Sequence, residues 1–350
     1  MRGGNVKRLL LWLVILGLIP ASAFAAIFPK TGTAGLQFLK LGVDARAIGM
    51  GEAYTAVSDD ISSVYWNPGG LAVKFNNQVM FSHTNWPADI MHDYFAASYV
   101  SDYGTFGFQA SLLHMDDMDV VTEENFGPTG EKFTCYDLAA GLTYSQAFTD
   151  KFSFGITGKF LREKLDEYDV NGFAFDIGSL YNTGWRNLTI GMALRNFGPD
   201  LKYEVDNDDD GRLDEDPFDL LDNDGDGLID EDREEFPFKI PMSFSFGISG
   251  DIIREDMQHL IASFQVDNCV DRDEAFNLGA EYRWSSLFVR AGAQFAVTTN
   301  ENNVRPTFGL GWRVPVSFAV VNVDWAYTDM GWLAEDFITS AHRLSLKMEF

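Results

Sequence analysis

The chain has 350 residues, of which 52 are acidic and 26 basic, giving a formal net charge of −26. This balance argues against nucleic-acid binding, which requires a basic face. Only two cysteines occur, so the chain is not a disulfide scaffold. The aromatic share of 14 %, with 30 Phe, suits a protein that turns aromatic side chains toward lipid.

The N-terminus predicts a secretory signal peptide, residues 1–25. Basic residues at the start precede an apolar run from Leu9 to Pro20, and the small residues from Ala21 to Ala25 form a cleavage site. The apolar run is shorter than the ~20 residues that a transmembrane helix needs. No later run without charges reaches that length, which argues against a helical membrane protein.

A segment rich in Gly and Ala follows, and it lacks the alternation of strands. We expect residues 26–73 to form a plug that folds inside a barrel, because small residues permit close packing in a confined space. A compact periplasmic cap is the alternative. Ser58 can cap a short helix with Asp59 and Asp60 in its first turn. Asn67 ends that helix, because the residue before a proline avoids the helical conformation.

From Gln78 onward, apolar and polar residues alternate in segments broken by turns, about fourteen in number. Short and long connections alternate along the chain, as in outer-membrane barrels with tight periplasmic turns and long extracellular loops. The sequence therefore predicts an all-β fold: a transmembrane antiparallel β-barrel of about 14 strands, residues 74–350, with an N-terminal lumenal plug. A soluble sandwich is the alternative. We also expect a long loop at Asp267–Glu274 and a β-bulge within Val316–Tyr327.

The last residues alternate strictly and end on Phe350, which resembles the C-terminal strand that the barrel assembly machinery reads. Phe350 is therefore the predicted assembly signal, and the predicted location is the outer membrane of a Gram-negative-type bacterium, in contact with its lipid. Seven basic residues share the inward phase of their strands, and we expect acids of the plug to pair with them: Lys159, Arg195, Arg283, Arg290, Arg313, Arg343 and Lys347.

An acidic insertion at residues 204–235 carries 17 acidic and 2 basic residues. Two copies of one pattern place carboxylates at alternate positions and a glycine at the sixth, which is the chemistry of an oxygen-seeking cation such as calcium. The pattern departs from an EF-hand at its twelfth position and resembles the calcium-binding repeats of thrombospondin type 3. A solvated acidic loop is the alternative. The predicted metal ligands are Asp206, Asp208, Asp210, Asp214, Asp222, Asp224, Asp226 and Asp230.

The sequence offers little support for catalysis. Its five histidines are scattered, and neither a Gly-x-Ser-x-Gly motif nor a partner motif for the cysteines is present. We therefore expect a protein that is not an enzyme and has no catalytic residues.

The plug sequence resembles the PorV/PorQ family of outer-membrane proteins, part of the wider group of FadL-type transporters for hydrophobic compounds. The resemblance rests on Ala45–Ala53, the Asp59–Asp60 pair and Tyr65–Leu71. It implies a fourteen-stranded barrel with an N-terminal hatch. The matching plug residues are Asp44, Ala45, Arg46, Gly49, Met50, Gly51, Asp59, Asp60, Asn67 and Pro68.

Two functions fit this resemblance, and the sequence leaves both open. One is a component of type IX protein secretion that binds a translocon or exported cargo protein. The other is FadL-like uptake of a hydrophobic ligand through the lumen. A purely structural surface protein is a third possibility.

Overall fold

The structure, a computed structural model, describes residues 32–74, 76–86, 90–120, 129–130, 132–166, 168–185, 187–203, 237–297, 302–329 and 340–350. The predicted signal peptide and the acidic insertion lie outside these residues, so the predicted domain boundaries stay predictions. In the described ranges, no helix is both long and apolar enough to cross a membrane.

Fourteen antiparallel strands form a closed barrel, which confirms the predicted fold class. Each strand pairs with its neighbours along the chain, and the first and last strands, β1 and β16, close the ring from Gln78↔Glu349 to Asn85↔His342. A two-stranded hairpin, β4 and β5, stands outside the ring. The strands are β1 Gln78–Asn85, β2 Met91–Ser101, β3 Gly104–His114, β4 Met118–Asp119, β5 Lys132–Phe133, β6 Cys135–Thr149, β7 Phe152–Leu165, β8 Tyr168–Asn182, β9 Thr189–Phe197, β10 Ser243–Arg254, β11 Gln258–Cys269, β12 Arg272–Trp284, β13 Leu287–Val297, β14 Asn302–Val316, β15 Ala319–Asp329 and β16 Ser340–Glu349.

The alternation of each strand places apolar side chains outside and polar side chains inside. In β16, Leu344 and Leu346 are 56 % and 50 % exposed, whereas Ser345 and Lys347 are each 3 % exposed. Successive side chains of a strand point to opposite faces, so this pattern produces an apolar outer surface and a polar lumen.

Two local expectations are wrong. Only two residues separate β11 from β12, so the segment from Asp267 to Glu274 holds a tight turn instead of a long loop. Val316 ends β14 and Ala319 begins β15, and the two residues pair with each other. The change of phase after Val316 therefore marks the turn between two strands, and the register of this pair contains no bulge.

Residues 36–73, the lumenal segment, form short helices at Gln37–Lys40, Ala45–Gly49, Ser63–Trp66 and Pro68–Ala72. The segment lies inside the barrel, because it contacts inward-facing residues of strands on every side of the ring. The helix predicted from Ser58 begins instead at Ser63, and the Ser58 hydroxyl donates to the carbonyl of Tyr54. Tertiary contacts cause the difference, because the N–H of Ile61 donates to the Gln78 side chain of β1 at 3.0 Å.

The two ends of the barrel differ. At the end with the longer connections, the loop end, Leu36, Phe38 and Leu39 pack into a buried apolar cluster with inward residues of β6, β7 and β8. Leu201 and Phe238 pair at the base of the acidic insertion, and the N–H of Gly35 donates to the carbonyl of Lys239 at 3.0 Å. The lumenal segment is therefore joined to the stem of that insertion. The opposite end, the turn end, carries the short turns between strands.

Candidate functional site: the lumenal segment and the barrel wall

A buried ion triad joins the lumenal segment to the last strand. The ammonium of Lys347 on β16 donates to Asp44 Oδ2 at 2.6 Å and to Asp60 Oδ2 at 2.7 Å. Next to it, Ser345 Oγ accepts from the N–H of Ala45 at 2.8 Å and donates to Ser82 Oγ of β1 at 2.9 Å. The segment therefore binds β16 through these contacts, and it binds β1 through the bond from the N–H of Ile61 to Gln78.

A second set of ion pairs runs in the opposite polarity. Arg46 of the lumenal segment donates through Nε and Nη2 to both carboxylate oxygens of Glu281 on β12, each at 2.9 Å. Its Nη1 reaches Asp59 at 2.6 Å and Asp60 at 3.1 Å. Because Asp60 also binds Lys347, the two sets form one continuous network. A bidentate Arg–carboxylate pair fixes orientation as well as charge, so Arg46 sets the position of its helix.

The barrel wall also has ion pairs of its own, and these extend the network. Arg290 of β13 donates to Glu281 at 2.6 Å and to Asp324 of β15 at 2.7 Å. The expectation that acids of the plug pair with the inward cations therefore holds for Lys347 but is wrong for Arg290, whose direct partners are acids of the wall. The sequence did not predict the reverse arrangement, in which Arg46 of the lumenal segment binds Glu281 of the wall.

The carboxyl groups that share Lys347 differ in acidity. Burial acts to raise the pKa of Asp60, yet Lys347, Arg46 and Lys74 together hold that pKa well below its usual range. At Asp44, burial outweighs the attraction of Lys347, so its pKa is raised.

Glycines on the inner wall form a belt that receives the backbone of the lumenal segment. A Cβ added at Gly292 of β13 would lie 2.6 Å from the Cα of Gly51, and one at Gly279 of β12 would lie 3.0 Å from the Cβ of Met50. These approaches are closer than a side chain allows. Other wall glycines that meet the segment are Gly107, Gly155, Gly178, Gly191, Gly247 and Gly309, the last against Gly49.

The Asn67–Pro68 motif sits against β8. The amide of Asn67 donates to the carbonyls of Thr55 and Ser179 at 2.8 and 3.0 Å, and its side-chain oxygen accepts from the N–H of Gly69. Pro68 opens the short helix that ends at Ala72. Asn67 therefore joins two parts of the lumenal segment to the wall.

The remaining inward cations have different partners. Arg195 of β9 lies over the rings of Tyr65 and Trp66, with its Cζ 5.1 and 5.3 Å from their centroids, which is cation–π geometry. Lys159 pairs with Asp176 of the wall at 2.8 Å. Arg343 donates to Thr84 of β1 at 2.5 Å.

The turn end of the lumen holds a cavity of about 850 Å³ below the lumenal segment. Its walls combine residues 56–59 and 72–73 of the segment with the turns that follow β6, β8 and β10. Toward the loop end, a cavity beside Glu52, Tyr65 and Arg195 has a volume of about 10 Å³. The turn end of the lumen therefore holds a large cavity, whereas the loop end holds the buried apolar cluster of Leu36, Phe38 and Leu39.

Two predicted sites remain to be placed. The eight predicted calcium ligands lie outside the described residues, and no group of three or more His, Cys, Asp or Glu in the described ranges could hold a metal ion. Phe350 follows β16, and its N–H donates to the carbonyl of Asn77 at 2.9 Å. Its side chain is 55 % exposed on the outer surface.

A family model described as "Type IX secretion system protein PorV" matches residues 27–234, more than half of the chain. A comparison with curated proteins finds no match.

Solved structures with the same fold include the Pseudomonas putida toluene transporter TodX, at a TM-score of 0.53 and 13 % identity, covering 88 % of this chain and 96 % of that one. The monoaromatic hydrocarbon channel CymD matches at a TM-score of 0.51 and 12 % identity, with coverage of 88 % and 96 %. A Pseudomonas aeruginosa FadL homologue matches at 0.46 and 13 %, with coverage of 88 % and 98 %.

Proposed function

Because the chain belongs to the family of type IX secretion system protein PorV, whose members are outer-membrane β-barrels, we propose that it is a secretion component that binds a translocon or exported cargo protein. The observation that carries the proposal is the family match, which spans the whole lumenal segment and the strands β1 to β9. In an outer-membrane barrel the turn end faces the periplasm and the loop end faces the outside.

The packing of the lumen supports a binding role over conduction. Leu36 and Phe38 are 1 % and 3 % exposed in the apolar cluster at the loop end. Below this cluster, buried ion pairs and the glycine belt hold the lumenal segment against the wall. Removing one partner of a buried ion pair costs roughly 3–5 kcal/mol, so the segment is expected to stay in place while partners bind outside it.

FadL-like uptake of a hydrophobic compound is the second candidate. It is favoured by the shared fold with TodX, described as a toluene transporter, and CymD, described as a monoaromatic hydrocarbon channel. Uptake through this lumen requires the lumenal segment to move, because the segment fills the path between the two ends. Movement of the segment therefore separates the two candidates.

A disulfide between the segment and the wall tests this difference. An ideal Cβ at Gly247 of β10 lies 3.3 Å from the Cβ of Ala56, close to the ~3.5–4.5 Å of disulfides. The variant carries A56C and G247C, with Cys135 and Cys269 replaced by serine. In a strain that lacks the gene for this protein, the deletion strain, we expect the oxidised variant to restore secretion of a type IX reporter as well as the wild type does.

The controls are the reduced double variant and the G247C single variant, neither of which can lock the segment. Two results together would contradict the secretion proposal and favour the channel. In the first, the deletion strain still secretes the reporter but no longer takes up an apolar compound. In the second, the reduced double variant restores that uptake and the oxidised variant does not.

We also propose that the acidic insertion binds calcium outside the cell. Its seventeen acidic residues repel one another, and a divalent ion would remove that repulsion. Calcium should protect residues 206–232 from proteolysis with a Kd of roughly 10⁻⁴ to 10⁻³ M. Replacing Asp206, Asp208, Asp222 and Asp224 with Asn should abolish the protection without unfolding the barrel. Isothermal titration without calcium binding at millimolar concentration would contradict the proposal.

A further inference from the structure

A smaller cavity lies at the periplasmic end of the lumen, between the lumenal segment and the inward faces of β11 to β16. Its volume is about 130 Å³. A single water needs roughly 10–15 Å³ of such space, so the cavity can hold a polyatomic ion. Six basic and five acidic side chains line it. The basic side chains differ in how closely they are paired with acids.

Three of the basic side chains are held by short ion pairs. Lys347 binds Asp44 and Asp60 at 2.6 and 2.7 Å. Arg46 and Arg290 both bind Glu281, at 2.9 and 2.6 Å. The acids that face the cavity are therefore largely occupied by these three cations.

The other three basic side chains, Lys74, Arg283 and Arg313, are weakly engaged. Arg283 makes no ion pair with any residue that the structure describes, and its buried Nε has no acceptor. Arg313 Nη2 lies 3.5 Å from Glu349, and Lys74 Nζ lies 3.6 Å from the same carboxylate and 3.7 Å from Asp59. These distances exceed the usual 2.7–3.2 Å of a hydrogen bond to nitrogen.

The register of the strands brings the two arginines together. Arg283 of β12 pairs with Phe288 of β13, and Phe288 pairs with Gly311 of β14. Arg313 lies two residues beyond Gly311, on the same inward face. Both long side chains therefore enter one cavity from strands that flank β13.

We propose that this cavity binds a phosphate group presented from the periplasm. Arg283 and Arg313 would donate to its oxygens, because the guanidinium fork matches phosphate geometry. Lys74, which directly follows the lumenal segment, would add a third charge. The two negative charges of a phosphate monoester suit a cavity with three weakly paired cations better than a single carboxylate does. The site is independent of the proposed secretion role.

Isothermal titration of the purified barrel in detergent with inorganic phosphate, against chloride at equal ionic strength, tests the proposal. We expect saturable phosphate binding that weakens at least tenfold in Arg283→Gln and in Arg313→Gln. Glu349→Gln should bind phosphate several-fold more tightly, because it removes the carboxylate that competes for Arg313 and Lys74. Tighter binding is not an outcome that general destabilisation produces.

Arg254→Gln is the matched control, since Arg254 is a periplasmic arginine that is 68 % exposed, pairs with Asp251 and lies outside this cavity. Heat-modifiability on a gel verifies that each variant is folded, and the exposed Arg313 keeps the test valid if Arg283→Gln does not fold. Absence of saturable binding, or equal affinity in the wild type and both arginine variants, overturns the proposal. Competition by micelles of a short-chain phosphatidic acid, whose headgroup is a phosphate monoester, assigns the group to a lipid headgroup, and its absence assigns it to free phosphate.

Discussion

At the residue scale, the ammonium of Lys347 is the centre of the contact between the lumenal segment and the wall. It is 3 % exposed, and its partners Asp44 and Asp60 are 0 % and 5 % exposed. Charges that are buried to this degree are stable only when they are paired, since burial of an isolated charge is very unfavourable. A single ammonium thus binds two parts of the segment that lie sixteen positions apart in the sequence.

Lys347→Met should lower the free energy of unfolding by about 3–5 kcal/mol, because it leaves the buried Asp44 without a cation and leaves Asp60 with Arg46 as its one close cation. The temperature at which the folded band disappears on a heat-modifiability gel measures this loss. Adding Asp44→Asn and Asp60→Asn should restore part of the stability. Lys151→Met in the turn after β6 is the control, and an equal loss in that variant would contradict the interpretation.

The pKa of Asp60 predicts how stability depends on acid. A carboxyl group whose folded pKa is depressed stabilises the fold above its unfolded pKa of 3.8 and loses this contribution as the pH falls toward the folded value. The raised pKa of Asp44 acts in the opposite direction, since its contribution is lost as the pH rises. We therefore expect Asp60→Asn to be less stable than the wild type at pH 7 but to lose less stability below about pH 4.

Thermal unfolding of the detergent-solubilised proteins at a series of pH values measures how the stability of the wild type and of Asp60→Asn changes with pH. If Asp60→Asn and the wild type lose the same stability on acidification, Asp60 is not the group responsible.

At the element scale, the strands were predictable and the lumenal segment was only partly so. Alternation in β16 fixes which side chains face the lumen, because each strand residue points opposite to its neighbours. The ion pairs of the segment were not predictable. Arg46 and Glu281 are 235 positions apart, so no local pattern of charge joins them. The helix predicted at Ser58 failed because the wall, through Gln78, binds the backbone there.

The glycine belt did leave a signal in the sequence. Gly155 stands at an inward position of β7, between Ser153 and Thr157, which are both buried. An inward glycine leaves room for another backbone to approach. Reading that signal requires knowledge that the lumen is filled, which the strand pattern alone does not contain.

Gly155→Ala should destabilise the seat of the lumenal segment by about 1–3 kcal/mol, because the new Cβ would lie 2.9 Å from the backbone nitrogen of Gly69. Gly158→Ala in the same strand is the matched control. Gly158 faces outward, and a Cβ there meets only Phe175 at 3.8 Å. Limited proteolysis of the lumenal segment and heat-modifiability measure the effect. Equal behaviour of the two variants would show that the close approach at Gly155 is unimportant.

At the scale of the whole molecule, the apolar outer surface and the polar lumen are one pattern repeated on fourteen strands. Large apolar side chains such as Phe173, Leu310 and Leu344 are 62 %, 54 % and 56 % exposed, as a lipid-facing surface requires. Closure of the ring leaves no strand edge unpaired, which is a condition for a sheet in a membrane. The last strand therefore decides whether the barrel is complete.

Deletion of Phe350 should impair assembly, because this residue directly follows the closing strand and is the predicted signal for the assembly machinery. Folded barrel in the outer membrane, measured by heat-modifiability and surface labelling, should fall severalfold. Phe350→Ala separates the side chain from the backbone contact with Asn77. Phe308→Ala is the control, because Phe308 is also lipid-facing, with 53 % exposure, but lies within β14. Unchanged yield after the deletion would count against an assembly signal at Phe350.

The triad of Lys347 also has a consequence in time. Asp44 and Lys347 are 303 positions apart, so the acid is synthesised long before its cation. Until β16 is made, Asp44 and Asp60 of the lumenal segment cannot pair with the ammonium of Lys347. Burial of these carboxylates in the lumen without it is unfavourable. In a truncated chain that lacks β16, this segment would therefore stay hydrated and exposed to periplasmic proteases. The triad would thus make stable docking of the segment depend on the synthesis of β16, and degradation would remove chains that lack this strand.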